Sequence, residues 1–242
     1  MSMIVYGTKR LGLIVPSGNS VAETELRAML PPAMTMLTTR LALCGSSEAE
    51  LLAMLTDLDR AATLVGHAEP DVIAFHCTAV STFAPHLAAE IRARITAATG
   101  RPAIATADAI LAAFQVLGTR RVLLVTPYIQ PVHLREIDYL TANGLSVTGG
   151  GYMGIDLNTE MARLDPSSIA AQVRQAAHGI AADACFISCT AIRSAGLIKD
   201  LEAELGMPVI TSNQVLAWYA LRTLGSPQTV PGFGRLFDRS GI

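Results

Sequence analysis

The sequence has no basic block, no long apolar run and no paired-cysteine motif. Nucleic acids are bound by clustered Lys and Arg. Here 18 basic residues are spread along the chain against 20 acidic ones, for a net charge of −2, so nucleic acid is excluded as the main partner. A bilayer span needs about 20 consecutive apolar residues. The apolar stretches are short and broken by Asp, Gly, Pro or Arg, although mean hydropathy is high at +0.41, and no membrane partner is expected. The opening MSMIVYGTKRLGLIVPSGN has too short an apolar core, in the wrong order, for a signal peptide. A soluble cytoplasmic protein is expected. The cysteines Cys44, Cys77, Cys185 and Cys189 form no C-x-x-C pair and no Cys/His ligand spacing, which predicts no metal site. No stretch resembles a P-loop or a G-x-S-x-G elbow. GGGYMG (149–154) does not open a helix directly after a strand as a dinucleotide loop does, so it reads as a loop, and no cofactor is expected.

What the chain does have is apolar mass. Of 242 residues, 51% are apolar and 16% charged, which excludes disorder and allows one large domain or two smaller ones. The surplus of hydrophobic surface predicts a homo-oligomer, a dimer or higher. Uninterrupted runs rich in Val, Ile and Leu recur: LGLIV (11–15), DVIAF (71–75), PAIA (102–105), RVLLV (121–125), ACFIS (184–188) and PVIT (208–211). Such runs suit strands buried on both faces. Between them lie segments of helical period. Residues 48–68 follow the candidate caps Ser46 and Ser47, 86–100 end at a glycine, and 165–182 open with Asp165 and Pro166. Strand–helix–strand alternation predicts an α/β fold with mainly parallel sheets. The tail from 226 to 242, rich in Gly and Pro, is expected to wrap the surface.

The chain also repeats itself. DVIAFHCTA (71–79) matches DACFISCTA (183–191) in Asp, Cys, Thr and Ala. Each copy is followed by a helix and then a G-x-P strand, GRPAIAT (100–106) and GMPVITS (206–212), and preceded by a strand ending near proline. Leu11 and Cys77 are 66 positions apart, Val122 and Cys189 67. Four features in order at matched spacing predict two pseudo-symmetric lobes, each a mainly parallel sheet flanked by helices, with the active site in the cleft between them. The boundaries are placed at 1–118 for the lobe carrying Cys77 and 119–242 for the lobe carrying Cys189, with exchange of helices between lobes allowed.

Ligands of open α/β sheets bind beyond the carboxyl ends of the strands, where Cys77 and Cys189 both fall. A helix starting just after each would favour a thiolate. Two thiols flanking one carbon can take a proton from one face and return it to the other. Alternatively, one adds to the carbon while the other supplies the proton. A buried cysteine at a strand end can equally be plain packing, and that reading is kept for Cys44 and Cys185. Ser17, Asn19, Thr78 and Thr190 also sit at strand ends, where they could approach a small dianion or serve as turn residues and caps. Tyr128 could be a core tyrosine and Asn158 a turn residue. His76 should point to the face opposite Cys77 and reads as structural.

The order VPSGN (15–19), HCTA (76–79), VTPY (125–128), DLNTE (156–160) and SCTA (188–191) resembles the aspartate/glutamate racemase superfamily, in the branch holding maleate cis–trans isomerase and arylmalonate decarboxylase. The similarity runs from about Arg10 to Gly225. It implies that Cys77 matches the nucleophilic cysteine of the isomerases and Cys189 the second, proton-handling one. It also implies that Asn19, Tyr128 and Asn158 match residues that bind substrate carboxylates. The decarboxylases have glycine where this chain has Cys77. Around Cys189 the chain reads CTAIRSAGLI rather than the C-V-Q-M-like stretch of the isomerases. That segment, with SNQVLAWYALR (212–222), is similar to ectoine-utilisation relatives of the decarboxylases.

The resemblance implies a cofactor-independent isomerase of a small carboxylate, maleate to fumarate, through a Cys77 thiolate adduct. A two-cysteine amino-acid or hydantoin racemase is the alternative, followed by an arylmalonate-type decarboxylase. Outside enzymes, a two-lobed solute-binding protein fits the architecture.

Overall fold

Eight strands form two four-stranded parallel sheets in the computed structural model, which describes residues 8–226 and 228–239. The first sheet holds β1 (Lys9–Pro16), β2 (Met34–Leu41), β3 (Val72–Phe75) and β4 (Ala103–Ala105) in the order β2-β1-β3-β4. The second holds β5 (Arg121–Tyr128), β6 (Ser146–Ile155), β7 (Ala184–Ile187) and β8 (Val209–Thr211) in the order β6-β5-β7-β8. Position for position the two orders are the same, so the repeat in the sequence is a repeat of topology. Around the first sheet run α1 (Ala22–Met29), α2 (Glu48–Ala53), α3 (Leu58–Gly66), α4 (Thr78–Ser81), α5 (Leu87–Thr99) and α6 (Thr106–Leu117). Around the second run α7 (Gln130–Ala142), α8 (Asn158–Met161), α9 (Pro166–Ala177), α10 (Ile198–Leu205) and α11 (Ser212–Thr223). The two-lobed α/β architecture is the one the repeat predicts.

All six apolar runs are strands. β3, β7 and β8 are buried along their whole length, as runs without alternation should be. Two strands carried no such signal. β2 (MTMLTTRL) and β6 (SVTGGGYMGI) are sheet edges, and β6 alternates exposed with half-buried residues throughout. The expectation that GGGYMG is a loop is therefore corrected: it is most of β6. The glycines allow it. At Gly150 φ is +152°, and a Cβ there would collide with the Leu124 carbonyl of the neighbouring strand.

Caps fall where the sequence puts them. Ser47 accepts from the Glu50 N–H, Asp165 from the Ser167 N–H at 2.8 Å, and Gly100 closes α5 at φ +67°. The helical stretch 48–68 is broken into α2 and α3 by a 3₁₀ turn at Met54–Asp57. Cys44 is exposed rather than packed in the core, whereas Cys185 is buried. The tail is anchored by Leu236 and Phe237, both buried, and by Trp218 Nε1 donating to the Arg239 carbonyl at 3.3 Å. Residues 240–242 of the tail lie outside the described residues.

The last helix of the second half packs on the first. α11 packs against α1, α6 and β3. Phe114 of α6 meets Phe186 of β7 edge to face, with centroids 5.8 Å apart and planes at 87°. Trp218, the single tryptophan, is fully buried on α11. The two sheets thus share a core along this seam.

Candidate active site

The inner strands β3 and β7 end side by side with the seam, and a cysteine follows each. Cys77 is the N-cap of α4. Cys189 stands two residues beyond β7 at φ +128°, a region that favours glycine. Such a backbone costs about 1–3 kcal/mol and is held only where its surroundings over-determine it. Here Ser212 Oγ accepts the Cys189 N–H at 3.0 Å, and the Cys189 sulfur accepts the Ala191 N–H at 3.2 Å. Met161 Sδ lies 3.8 Å from that sulfur.

Both thiols are buried, and burial pushes each up to about 12. For Cys77 the Val80 and Ala79 amides pull the other way, while the charge of Cys189 adds to the rise. For Cys189 the Tyr128 phenol and the Ala191 amide pull down, while Glu136 and Glu25 push up. Tyr128 is itself buried. Desolvation first, then the nearby Cys189, Glu136 and Cys77 charges, raise its phenol well above the usual range. The structure therefore gathers Cys77, Cys189 and Tyr128 around one point, one thiol from each lobe.

Asn19 lies at the same mouth. Its Oδ1 accepts the Val21 and Ala22 amides, both at 3.0 Å, which fixes the start of α1. Its Nδ2 crosses the cleft to Thr190 Oγ1 at 2.9 Å. Thr78 donates to Ser212 Oγ at 2.8 Å, and the same oxygen holds the Cys189 amide. Asn158 opens α8 and is buried. Its N–H donates to the Cys44 carbonyl at 3.0 Å, and its side chain lies against Gly18, where a Cβ would approach to 3.2 Å. Ser17 is exposed, and its hydroxyl accepts the Leu43 N–H at 3.1 Å. Arg40 steadies the same turn, donating to the Asn19 carbonyl at 2.7 Å and pairing with Glu23.

Sequence reasoning missed the polar seam behind the cysteines. His76 is fully buried, its Nδ1 2.9 Å from Thr106 Oγ1 and its Nε2 2.8 Å from Asn213 Oδ1. Asn213 Nδ2 in turn donates to Glu25 Oε2 at 2.6 Å, so its Oδ1 faces the ring and His76 carries its proton on Nε2. Glu25 Oε1 accepts the Ser194 and Ala195 amides at 2.7 and 2.9 Å. Burial holds His76 down at about 4, so the imidazole is neutral. Glu136 of α7 is a further carboxyl near the site, and it is buried. The one available signal was the SNQ that follows the second G-x-P strand, three polar residues where a buried helix begins.

Chemically, the site offers two thiols, a phenol, carboxamides and hydroxyls. Among the described residues no Lys or Arg is buried. Among the described residues no group of three or more His, Cys, Asp and Glu converges to hold a metal ion. No helix among them is long and apolar enough to cross a membrane.

Residues 11–237 match the family model for arylmalonate decarboxylase. The chain is 32% identical to the maleate isomerase of Nocardia farcinica, over 95% of this chain and 96% of that one. It is 29% identical to the maleate isomerase of Geobacillus stearothermophilus, over 95% and 97%. Among solved structures it superposes on the Nocardia farcinica maleate cis–trans isomerase, solved with a covalently bound succinylcysteine intermediate. That match has a TM-score of 0.90 and 27% identity, and covers 97% of this chain and 99% of that one.

Proposed function

The chain belongs to the arylmalonate decarboxylase family, and from that premise we propose that it is a cofactor-independent isomerase converting maleate to fumarate. The observation that carries this reading is the pair of buried thiols at equivalent strand ends of the two lobes, close enough for one charge to raise the other. A decarboxylase that only reprotonates a carbanion has no use for the first of them. The succinylcysteine held by a full-length relative is the adduct that one such thiol would form with maleate.

The reaction runs in the form of the site that holds one proton between the two thiols. The Cys77 thiolate bonds to one alkene carbon, and the π pair moves to the other, which takes the proton from Cys189. The succinyl adduct now has a single bond where the double bond was, and it rotates. The Cys189 thiolate then removes a proton from the carbon it protonated, the C–S bond breaks, and fumarate leaves with Cys77 again a thiolate. Atoms and charge balance, and neither metal nor organic cofactor enters.

Asn19, Tyr128 and Asn158 are assigned to the carboxylates, with the Ser17 turn, Thr78 and Thr190 completing the grip. Asn19 Nδ2 is occupied by Thr190 across the cleft, so the dianion replaces that bond and the lobes part to admit it. In this reading the lobes are residues 1–118 and 119–242, with α11 packed on the first. The enzyme works as a homo-oligomer in the cytoplasm; free cysteines and the exposed side chains of Leu64 and Leu134 support that setting, and sedimentation velocity tests the oligomer.

Proton NMR in D₂O tests the function directly, with maleate, aspartate, glutamate, a hydantoin and a phenylmalonate as substrates and Cys77→Ser beside the wild type. Fumarate from maleate, lost in the variant, is the expected result. Exchange of an α-proton with maleate untouched would replace this reading by a racemase, and loss of CO₂ from the malonate by a decarboxylase.

A further inference from the structure

The repeats differ at the residue before each thiol, HCTA in the first and SCTA in the second. His76 presents a neutral imidazole whose two nitrogens are both taken. Ser188 instead donates its hydroxyl to Glu136 Oε1 at 2.6 Å. Glu136 is 2% exposed on the inner face of α7, and its Oε2 is buried with no hydrogen-bond partner among the described residues. The nearby arginines form ion pairs with other carboxylates, Arg92 with Asp108 and Arg135 with Glu48. A carboxyl so placed acts through a low dielectric on whatever ionises beside it.

Several titratable groups share its surroundings. Tyr128 from β5, Cys189 from the end of β7 and Tyr139 from its own helix all feel its charge. His133, one turn earlier on α7, is turned to Thr126 at 3.1 Å and to the Tyr152 ring of β6, 5.4 Å away. Glu25 also raises Cys189, so it pushes the same way. Cys77 feels the charge of Cys189, whereas Glu136 is bound to the residue directly before Cys189.

We propose that Glu136 is a positioning residue for charge: its carboxylate, on the Cys189 side of the cleft, keeps Cys189 a thiol and leaves the thiolate to Cys77. Burial raises Glu136 itself to about 7, so its charge is present above neutrality, where thiolates form. An addition–elimination needs unlike thiols, one ionised to attack and one protonated to give. The same carboxylate makes Cys189, once it has given its proton, the stronger base that takes a proton back. This role in turnover rests on the isomerase reading; the placement of charge does not.

The test is alkylation of the full chain by iodoacetamide across about pH 6–10, with Cys77 and Cys189 read separately by peptide mass spectrometry. The ratio of the two rates is taken within one molecule, so opening of the lobes cancels. In the wild type Cys77 reacts first as pH rises. Glu136→Gln keeps the shape and removes the charge, and it should move the Cys189 profile down by about one pH unit, roughly a tenfold faster reaction at fixed pH. Glu136→Asp keeps the charge and should keep the wild-type order. If Glu136→Gln does not fold, Ser188→Ala carries the test. It removes the one hydrogen bond that favours the ionised carboxyl, and should move Cys189 the same way by less. An unchanged Cys189 profile, or an equal shift of both thiols, overturns the proposal. A shifted Cys189 profile in a protein that leaves maleate untouched would overturn the isomerase reading and keep this one.

Discussion

In the N-terminal lobe the reactive strand ends in a neutral histidine and a cysteine that caps a helix. In the C-terminal lobe it ends in a serine tied to a carboxyl and a cysteine held at φ +128°. Strand order, the Thr-Ala that follows and the G-x-P strand beyond are common to both. The difference teaches that the duplicated scaffold supplies position and the unlike neighbours supply chemistry. Two equivalent thiols across a cleft would compete for one charge. Two thiols with different surroundings can divide the work of attack and proton transfer.

The largest effect comes from removing either thiol, and it separates the lobes. Cys77→Ser should lose on the order of 10⁴–10⁶ in turnover, the scale for loss of a nucleophile. Cys189→Ser should lose about 10²–10⁴, the scale for a general acid, and should accumulate a succinyl adduct on Cys77 visible by intact mass. Equal losses with no adduct would dissolve the division of labour.

The next effect tests whether the lobes are separate units at all. Phe114 and Phe186 are buried against each other from opposite halves. Either changed to Ala should cost about 3–5 kcal/mol in urea unfolding, with one transition for the whole chain. Two transitions would mean that the lobes unfold independently.

The pH dependence of stability should separate the lobes by sign. His76 is held at about 4 in the fold against 6.5 outside it. The unfolded chain therefore binds the extra proton between those values, and stability falls as pH drops from 6.5 to 4. Glu136 is held near 7 against 4.5. The folded chain keeps that proton, so its contribution is full below 4.5 and lost as pH rises through 7. Each is worth up to about 3 kcal/mol. Urea unfolding across pH should show His76→Gln flattening the acid side and Glu136→Gln the neutral side. Identical profiles for the two variants would remove the asymmetry. The smallest effect belongs to the periphery. Ser47→Ala, which removes the cap of α2, should cost about 1 kcal/mol and leave turnover unchanged.

Legibility in the sequence followed burial. β1, β3, β4, β5, β7 and β8 were visible because they are inner or short buried strands without alternation. β2 and β6 were not, because an edge strand half open to water carries Thr, Gly and Arg as a loop does. The thiols were visible because each sits inside a repeat, and Asn19, Tyr128 and Asn158 through the family resemblance. The seam was not. Asn19 and Thr190 are 171 positions apart, and Glu25 and Asn213 188, and none of these residue types is unusual where it stands.

The sequence by itself determined the two-lobed parallel architecture and the place of a cysteine just beyond β3 and β7, because periodicity and repeat spacing are local properties that each segment carries alone. Only the tertiary structure decided which polar groups surround those cysteines. Packing of α11 on α1 and β3 brings His76, Asn213 and Glu25 into one hydrogen-bonded chain, and packing of α7 on β5 and β6 leaves the Glu136 carboxyl buried behind one thiol. Desolvation and charge proximity depend on what the whole fold places within a few ångströms, and no window of sequence contains that information.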